Sequence, residues 1–258
     1  MAFRAALITG ATSGIGEAFA HALPPTTALW LTGRNEARLA MLAAELGAAG
    51  RPVATLGADL ALPADQAKLV AWLAGAPIDL LINNAGFGRQ GPALAEAKAE
   101  DRAMIEVNVQ APVALAEALL PGMIERARET GRRCGLINVA SMVGHFPMPY
   151  LATYAATKAF LASWSDALAV ELRKSPADIL TLCPGVTRTG FFERARFAGG
   201  APGPGHSADA VAAAALATLG RKPHLVVGTL NRLSVLAARL LPRQLFLRGA
   251  AAAMKRRT

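Results

Sequence analysis

A tyrosine and a lysine stand four residues apart in the segment "TYAATKAFLASWSDAL", at Tyr154 and Lys158. In a helix this spacing puts both side chains on one face, one turn apart. Both groups titrate, so together they offer proton-transfer chemistry, and a lysine is costly to bury without a partner. Taken alone, the pair could also be a boundary tyrosine beside a lysine whose stem lies along the surface.

A glycine-rich stretch, "TGATSGIG", follows the first apolar run of the chain. Gly10, Gly14 and Gly16 allow a tight turn and a close approach of the backbone to a ligand. The helix that begins in this stretch offers free N–H groups to a phosphate. The glycine spacing is GxxxGxG rather than GxGxxG, so a tight strand-to-helix turn without a ligand stays open as an alternative.

The second apolar run ends in "LTGRN", where NAD-binding sheets usually place an acidic residue for the ribose 2′-hydroxyl. Here Arg34 takes that place, and Arg38 follows one turn later. A guanidinium binds a 2′-phosphate bidentately, whereas a carboxylate would repel it. The sequence therefore favours NADP(H) over NAD(H), and the alternative is two solvated arginines paired with Glu36 or another acid.

Apolar runs alternate with segments of helical periodicity, which predicts the elements that must hold these residues. The runs are continuous, as in strands buried on both faces of a parallel sheet. We expect an α/β fold with one doubly wound parallel sheet and helices on both faces, over residues 1–228, and a helical extension of the same domain at 229–258. Strands are predicted at 5–10, 27–33, 52–60, 78–86, 134–141, 178–185 and 224–228, helices at 14–23, 35–50, 63–73, 100–129 with a bend at Pro112, and 153–173, and a long irregular loop at 187–206.

The chain resembles the short-chain dehydrogenases/reductases in motifs that occur in the family's order from residue 9 to residue 189. These motifs are "TGATSGIG" (9–16), Asp59, "NNAG" (83–86), Asn108, Ser141, Tyr154-x-x-x-Lys158 and "PGVTRT" (184–189). The resemblance implies a Rossmann-like sheet of seven parallel strands in the order 3-2-1-4-5-6-7. It also implies an NADP-dependent oxidoreductase that interconverts a carbonyl and an alcohol.

The resemblance gives each catalytic residue an expected role. Tyr154 would be the acid–base residue at the reacting oxygen, and Ser141 would hydrogen-bond the same oxygen. Lys158 would hold the nicotinamide ribose and lower the pKa of Tyr154, while Asn108 would fix a water that links Lys158 to solvent. Moving a phenol pKa from about 10 to about 7 needs roughly 4 kcal/mol, which a cation about 4 Å away supplies at an effective dielectric of about 20. Without the other motifs, Ser141 would be read as a turn cap and Asn108 as a residue that satisfies backbone groups at a helix bend.

The same resemblance assigns the residues that would hold the cofactor. Asp59 and Leu60 would contact the adenine, Asn83 would line the cofactor and tie strands together, and Thr187 and Thr189 would lie near the carboxamide and pyrophosphate. The full expected set is Gly10, Thr12, Ser13, Gly14, Ile15, Gly16, Arg34, Arg38, Asp59, Leu60, Asn83, Ala85, Gly86, Tyr154, Lys158, Pro184, Gly185, Thr187 and Thr189.

Apolar residues follow three of the strands in segments that should form a substrate pocket. They predict a hydrophobic ketone, aldehyde or secondary alcohol rather than a sugar nucleotide. His145, in one of these segments, is either a second titrating group near the substrate or a loop histidine with a local partner. The expected substrate residues are Phe87, Met142, Val143, His145, Phe146, Met148, Phe191 and Phe192.

Charge and cysteine content limit the other functions. The net charge of +9 lies entirely after Asp209, where nine basic and no acidic residues occur, so the body is balanced and a nucleic-acid partner is not expected. Cys134 and Cys183 match no metal-site spacing, and we expect no metal and a reducing, cytoplasmic location. No secretory signal and no uninterrupted apolar stretch of membrane-spanning length is evident in the sequence.

The C-terminal segment predicts two basic amphipathic helices separated by Pro242, with Leu233, Leu236 and Leu240 on one face. One interpretation is a peripheral contact with the inner face of a membrane. The other is packing on the body or on a partner subunit, since a homodimer or homotetramer is expected from the resemblance. Two alternatives to the enzyme stay open, namely a non-catalytic NADP(H)-binding redox sensor and a membrane-associated interaction protein on the same fold.

Overall fold

The computed structural model describes residues 3–94, 98–198 and 200–255. Its centre is a parallel sheet built from the apolar runs, whose residues are buried almost throughout. The strands are β1 Ala5–Thr9, β2 Ala28–Gly33, β3 Val53–Gly57, β4 Leu80–Asn83, β5 Cys134–Val139, β6 Ala177–Cys183, β7 Thr187–Arg188, β8 His206–Ser207 and β9 His224–Val226.

Seven of these strands form one sheet in the order β3-β2-β1-β4-β5-β6-β9, and β7 pairs with β8 in a separate two-stranded sheet. Every pairing in the large sheet is parallel, and β9 joins its edge with His224 opposite Thr181. The predicted fold and strand order are confirmed, with β9 as the seventh strand. The order reverses between β1 and β4, which is where sheets of this kind bind ligands.

Helices cover both faces of the sheet, as continuous apolar strands require. Phe19, Leu39 and Val211 are buried on one face, and Leu69 and Leu115 on the other. The helices are α1 Gly14–Ala22, α2 Glu36–Gly47, α3 Pro63–Trp72, α4 Lys98–Ile105, α5 Ala111–Thr130, α6 Ala152–Glu171, α7 Phe191–Arg194, α8 Ala208–Thr218, α9 Thr229–Leu240 and α10 Arg243–Lys255.

A π-helical turn, Glu106–Gln110, joins α4 to α5 at the place where the sequence predicts a bend. The N–H of Ala111 donates to the carbonyl of Glu106, five residues earlier. Pro112 has no N–H to donate to Asn108, so the helix cannot keep its regular pattern here. The widened turn places Asn108, which is fully buried, toward α6.

The continuous helix Ala99–Thr130 is long and apolar enough to cross a membrane by length and composition alone, with a mean hydropathy of 1.3. The sequence analysis expected no such stretch, because charged residues occur along it. Leu115, Leu120 and Met123 of this helix are buried against the sheet. These contacts are those of a core helix.

The segment predicted as an irregular loop at 187–206 is partly ordered. β7 and β8 bracket it, with Thr187 opposite His206, and α7 lies between them. Short elements form here because backbone groups pair across the loop. The hydrophobic periodicity of the sequence does not reveal such pairing. Gly199 lies outside the described residues.

The C-terminal segment forms α9 and α10, separated at Pro242 as the sequence predicts. Asn231 and Arg232 hold α9 to the end of β9 through the carbonyls of Val227 and Val226. The leucine face of α9 points away from the buried Val235 and stays exposed. Residues 256–258, which complete the predicted extension, lie outside the described residues.

Candidate active site

A cavity of about 1070 Å³ opens at the carboxyl ends of six neighbouring strands of the sheet. Each of these strands contributes the residues that directly follow it, which is how a parallel sheet gathers distant sequence positions. The predicted residues that line the cavity are Gly10, Thr12, Ser13, Gly14, Ile15, Arg34, Arg38, Asp59, Leu60, Ala85, Gly86, Phe87, Ser141, Met142, Val143, Met148, Tyr154, Lys158, Pro184, Gly185, Thr187, Thr189, Phe191 and Phe192.

The glycine-rich turn leaves no room for side chains where it faces this cavity. Gly10 and Gly14 have φ values of 63° and 60°, which strain any residue with a Cβ. A Cβ on Gly10 would lie 2.9 Å from the Cα of Ala85, and one on Gly14 would lie 2.9 Å from Thr189 Cγ2. The turn is therefore a bare backbone cradle at the start of α1, which fits the pyrophosphate of a dinucleotide.

Asn84 fastens this cradle to the next strand, a role that the sequence analysis did not assign. Its Nδ2 donates to the carbonyls of Thr9, at 2.9 Å, and Gly10, at 3.2 Å. Its own backbone N–H donates to Thr9 Oγ1. The motif "NNAG" contains the residue, but only the three-dimensional pairing of β1 with β4 shows what its amide holds.

Two residues of the predicted cofactor set lie outside the cavity lining. Gly16 faces the carbonyl of Gly10 within the turn itself, where a side chain would clash. Asn83 is buried under the site and donates to the carbonyl of Pro112 and to Asn138 Oδ1. Its position at the end of β4 directs the amide into the sheet, so it ties elements together, as predicted, without reaching the cavity.

The two arginines after β2 differ in their partners. Arg38 forms an ion pair with Glu17. For this arginine, the alternative of pairing with an acidic residue is therefore correct. Arg34 is exposed at the rim of the cavity and makes no ion pair with any described residue. A third arginine, Arg194 of α7, also lines the cavity and donates to Ser13 Oγ at 3.1 Å. Nothing in the sequence places Arg194 opposite Ser13, 181 residues away.

Tyr154 and Lys158 share the inner face of α6 and are both almost fully buried, with exposed fractions of 8% and 4%. The Lys158 ammonium donates to the carbonyl of Val139 at 2.8 Å and lies 6.0 Å from the centre of the Tyr154 ring. Gly86 sits between Lys158 and Asn108, since a Cβ there would lie about 3 Å from both side chains. The structure therefore brings Tyr154, Lys158 and Asn108 close together, and Ser141 is within hydrogen-bonding reach of Tyr154.

Asn108 does not line the cavity but lies behind it. Its Nδ2 donates to the carbonyl of Phe87 and to Thr157 Oγ1, both at 3.0 Å, and its Oδ1 accepts from the N–H of Phe87. The side chain thus fixes the strand end after β4 against α6. Ser141 caps the 3₁₀ turn Met142–His145, with its Oγ 3.4 Å from the N–H of Val143.

Burial controls the titration of the central pair. Desolvation raises the pKa of Tyr154 to about 12, although hydrogen bonding with Ser141 acts in the opposite direction. Desolvation also lowers the pKa of Lys158 to about 8. The sequence analysis expected a lowered tyrosine pKa. The direction differs because the ammonium is turned toward the Val139 carbonyl, and desolvation of the phenolate outweighs its attraction.

Aromatic and sulfur side chains form the other end of the cavity. The ring centre of Tyr154 lies 5.3 Å from that of Phe191, which in turn lies 5.4 Å from Phe192. Three residues that the sequence analysis did not single out also line the cavity here, Leu151, Phe197 and Met254, and the buried Met104 belongs to the same apolar cluster. Met254 comes from α10, so the C-terminal segment contributes to the cavity.

Two predicted substrate residues lie elsewhere. Phe146 packs on Phe246 of α10, with ring centres 5.0 Å apart, and lines a separate apolar groove. His145 lies against His224, with ring centres 5.2 Å apart. Both follow the 3₁₀ turn that Ser141 begins, and this turn directs them away from the cavity. The local partner expected as the alternative for His145 is therefore present.

The buried Lys158 predicts a pH-dependent stability. Between pH 8 and 10.5 the unfolded chain binds this proton more strongly than the folded protein, so the contribution of Lys158 to the free energy of unfolding should rise with pH, by about 3 kcal/mol over this range. Burial raises the pKa of the Cys134 and Cys183 thiols to about 11 and about 12, and these groups act in the opposite direction above pH 9. The contribution of Lys158 is therefore measured by urea denaturation as the difference between the native protein and Lys158→Met, and this difference should rise across the range.

The matched control is Lys174→Met, which removes an exposed lysine and should run parallel to the native protein. If Lys158→Met and the native protein have parallel curves from pH 8 to pH 10.5, the lysine does not titrate as its burial requires.

The chain was compared with families of known proteins. The model of the short chain dehydrogenase family matches residues 4–198. Dehydrogenase/reductase SDR family member 7B of Bos taurus is 33% identical over 239 residues, which are 86% of this chain and 72% of that protein. A very-long-chain 3-oxoacyl-CoA reductase of Laccaria bicolor is 39% identical over 176 residues, which are 66% of this chain and 50% of that protein. The chain spans about half the length of the reductases of this name that it matches.

Solved structures of related proteins match the fold of nearly the whole chain. A short-chain dehydrogenase from Sphingobium yanoikuyae in complex with NADPH is 31% identical, with a TM-score of 0.78, and the match covers 91% of this chain and 92% of that one. A 7beta-hydroxysteroid dehydrogenase is 25% identical, with a TM-score of 0.81, and covers 96% of both chains. The family match spans most of the described sheet and the Tyr154–Lys158 helix, so the chain belongs to the short-chain dehydrogenase/reductase family of oxidoreductase enzymes.

Proposed function

We propose that the protein interconverts a carbonyl and a secondary alcohol on a hydrophobic small molecule, with NADP(H) as the redox partner and Tyr154 as acid and base. The observation that carries this proposal is the position of Tyr154 in the cavity. The bare glycine cradle lies at one end and the aromatic wall at the other, and the phenol stands between them. A redox reaction between two bound molecules needs a proton donor at that junction.

The protonation states of the chain's own residues suit carbonyl reduction. A phenol with a pKa near 12 is fully protonated at neutral pH, so Tyr154 can give a proton to the oxygen as it gains charge. Ser141, which also lines the cavity, would hydrogen-bond the same oxygen and stabilise that charge. Lys158, with a pKa near 8, can restore the proton, and its ammonium would hold the ribose hydroxyls. The nicotinamide, when bound, supplies or accepts the hydride.

The apolar wall supports a hydrophobic substrate. The ring of Phe192 packs edge to face against those of Phe191 and Phe197, and Met254 also lines the cavity. Such a wall gives little hydrogen bonding to a polar substrate and buries an apolar one well. Among related proteins, the names include a very-long-chain 3-oxoacyl-CoA reductase, a 7beta-hydroxysteroid dehydrogenase and a bulky-bulky ketone specific alcohol dehydrogenase, all in keeping with this class.

Arg34 supports NADP(H) as the preferred cofactor. Arg34 is exposed, lines the cavity and makes no ion pair with an acidic residue among those described. Arg194, which donates to Ser13 in the cradle, adds a second cation to the lining. A 2′-phosphate on the ribose would balance the positive charges of these two arginines.

The exposed leucines of α9 support a peripheral contact with an anionic membrane. Leu230, Leu233, Leu236 and Leu240 are 77%, 56%, 53% and 77% exposed, although the body of the protein lies on the other side of the helix. Every charged residue after Asp209 is basic, which complements anionic headgroups. Met254 of α10 also lines the cavity. With α9 bound to a membrane, the substrate end of the cavity would therefore open toward the lipid.

The proposal keeps the C-terminal segment as an extension of one catalytic domain and places the protein in the cytoplasm, in contact with the inner face of a membrane. We also propose that the protein forms a homodimer or homotetramer. Phe160 and Val170 on the outer side of α6 are 45% and 59% exposed, which suits contact between copies through this helix.

Replacing Tyr154 by phenylalanine tests the activity. NADPH oxidation should be measured spectrophotometrically against a panel of apolar ketones and aldehydes, with polar sugars for comparison. The native protein should reduce members of the apolar set. Tyr154→Phe should lose at least about a hundredfold in kcat, because the general acid is gone. NADPH binding, followed by its fluorescence, should change little.

Tyr150→Phe is the matched control, since Tyr150 lies outside the cavity lining and should leave turnover nearly unchanged. Full activity in Tyr154→Phe would refute the assigned role. A native protein that binds NADPH but reduces no carbonyl would favour the redox-sensor alternative.

The cofactor preference is tested by Arg34→Ala. Losing a charge-assisted contact of roughly 1.5–3 kcal/mol should weaken NADPH binding by about 10- to 150-fold and leave NADH binding nearly unchanged. Titration by fluorescence gives both dissociation constants. Arg173→Ala, an exposed arginine on another surface, serves as control. Equal losses for NADH and NADPH would contradict the assignment of Arg34 to the 2′-phosphate.

Membrane contact is tested by flotation with anionic liposomes at low and high salt. The native protein should float at low salt, and the double variant Leu233→Glu, Leu236→Glu should not. The control Met41→Glu, Leu62→Glu changes two equally exposed residues elsewhere and should float. Light scattering on the same protein preparations tests whether a second copy of this chain covers the leucine face instead. If the native protein does not float and is a dimer that dissociates in the leucine variant, the membrane contact is overturned.

A further inference from the structure

Three side chains of metal-binding type meet at the edge of the sheet, outside the cavity described above. His145 ends the 3₁₀ turn that Ser141 caps, Cys183 ends β6 and His224 begins β9. One ligand atom of each lies within 4.8 Å of the other two. Sequence spacing cannot reveal this group, because the three residues come from separate crossovers and meet only when β9 pairs with β6.

The distance between Cys183 and His224 matches a shared metal ion. Cys183 Sγ lies 3.6 Å from His224 Nε2. A tetrahedral Zn²⁺, with bonds of about 2.3 Å to sulfur and about 2.05 Å to nitrogen, holds these two atoms about 3.6 Å apart. The third ligand, at up to 4.8 Å, needs to approach by about 1 Å, which a side chain on a short turn can do.

His224 is oriented as metal-binding histidines are. Its Nδ1 is bonded to the carboxylate of Asp166, at 2.9 and 3.1 Å, and Asp166 accepts a further bond from Thr181 Oγ1 at 2.7 Å. The carboxylate fixes the tautomer that carries its proton on Nδ1, so the Nε2 lone pair faces Cys183. A carboxylate behind a ligating imidazole is the usual outer shell of a metal site.

His145 has an unused ring nitrogen in this region. Its Nε2 is buried and has no hydrogen-bond partner among the described residues. Buried polar atoms without partners are rare and call for an explanation such as a bound ion. Burial, followed by repulsion from His224 and Arg239, lowers the pKa of His145, so its imidazole is in the neutral form that a metal binds.

The charges of the cluster can balance a divalent cation. Burial raises the pKa of Cys183 to about 12, so the thiol is protonated until a metal displaces its proton. Binding then breaks the S–H bond, forms the metal–sulfur bond and releases one proton to solvent. The resulting thiolate and the Asp166 carboxylate together offset the charge of the ion, while Arg239 adds one positive charge nearby. The His224 side chain, 27% exposed, leaves a path for the ion to reach the site.

We propose that His145, Cys183 and His224 bind one Zn²⁺ ion, with water in the fourth position. Thiolate and imidazole ligands in a tetrahedral arrangement are those that zinc prefers. The ion would join the turn that begins at Ser141 to the ends of β6 and β9, and so hold this turn from behind. The three ligand residues lie outside the lining of the cofactor cavity.

The test uses the full-length protein, freed of metal by a chelator and then titrated with Co²⁺ and Zn²⁺. The native protein should bind about one ion per chain. Its Co²⁺ form should show thiolate-to-metal charge-transfer absorption and the intense visible bands of a tetrahedral site. Cys183→Ser should abolish the charge-transfer band, and His224→Gln should weaken binding by more than about a hundredfold.

One further variant and two control variants keep the test decisive if Cys183→Ser does not fold. Asp166→Asn removes only the outer-shell carboxylate and should weaken Zn²⁺ binding by about 10- to 100-fold. Cys134→Ser and His21→Gln, at the other cysteine and at an exposed histidine, should bind as the native protein does. A folded native protein that binds no Co²⁺ or Zn²⁺ stoichiometrically, or a thiolate band that survives in Cys183→Ser and disappears in Cys134→Ser, would overturn the proposal.

Discussion

The active site depends on a lysine that is buried without an acidic partner among the described residues around it. Lys158 satisfies its ammonium with the carbonyl of Val139, at the point where β5 ends. Val139 lies one residue beyond the last β4–β5 pair, Asn83 with Asn138, so the bond from Lys158 gives this carbonyl a donor where β4 has ended. The cost of desolvation is visible in the lowered pKa of the lysine. The fold must therefore hold α6 against the end of β5 firmly enough to keep water away.

A ladder of amide and hydroxyl groups provides this hold below the site. Asn83 on β4 donates to Asn138 on β5, and Asn138 donates to Ser165 on α6, at 2.9 and 2.8 Å. Ser165 in turn donates to the carbonyl of Leu161. Each group is fully buried or nearly so, and a buried polar chain is favourable only when its members are paired. The ladder thus fixes the position of α6 relative to two strands.

Asn108 forms a second tie, one layer closer to the cavity. It joins the backbone of Phe87 to Thr157, the residue before Lys158. The amide can reach both because the π-helical turn ahead of Pro112 widens the helix at this point. Asn108 therefore positions the lysine helix through its neighbours, and the water-holding role implied by the resemblance stays a prediction.

The sequence predicted the fold and most of the cavity lining, because most motifs directly follow a strand and parallel strands end on one edge, while the family resemblance supplied the strand order. It did not predict Asn84, Arg194 or Met254, whose partners lie on elements far away in the chain. It placed Phe146 at the substrate pocket and left two interpretations open for His145, and the structure places both side chains outside the cavity lining. The direction of the tyrosine pKa was wrong for a related reason, because burial is a property of the packed structure and not of the Tyr-x-x-x-Lys spacing.

Features shared with the family and features particular to this chain lie in different parts of the sequence. The family match ends at residue 198, after the cradle, the Tyr154–Lys158 pair and α7. Pro202 and Met254, which also line the cavity, lie beyond it, as do β9 and the exposed leucines of α9. The residues proposed to hold the dinucleotide therefore come from the part of the chain that the family has in common. Part of the apolar end of the cavity comes from a C-terminal segment that packs through Phe146 and Phe246 and through the attachment of α9 to β9. Changes in this segment can therefore alter the proposed substrate end while the cradle stays the same.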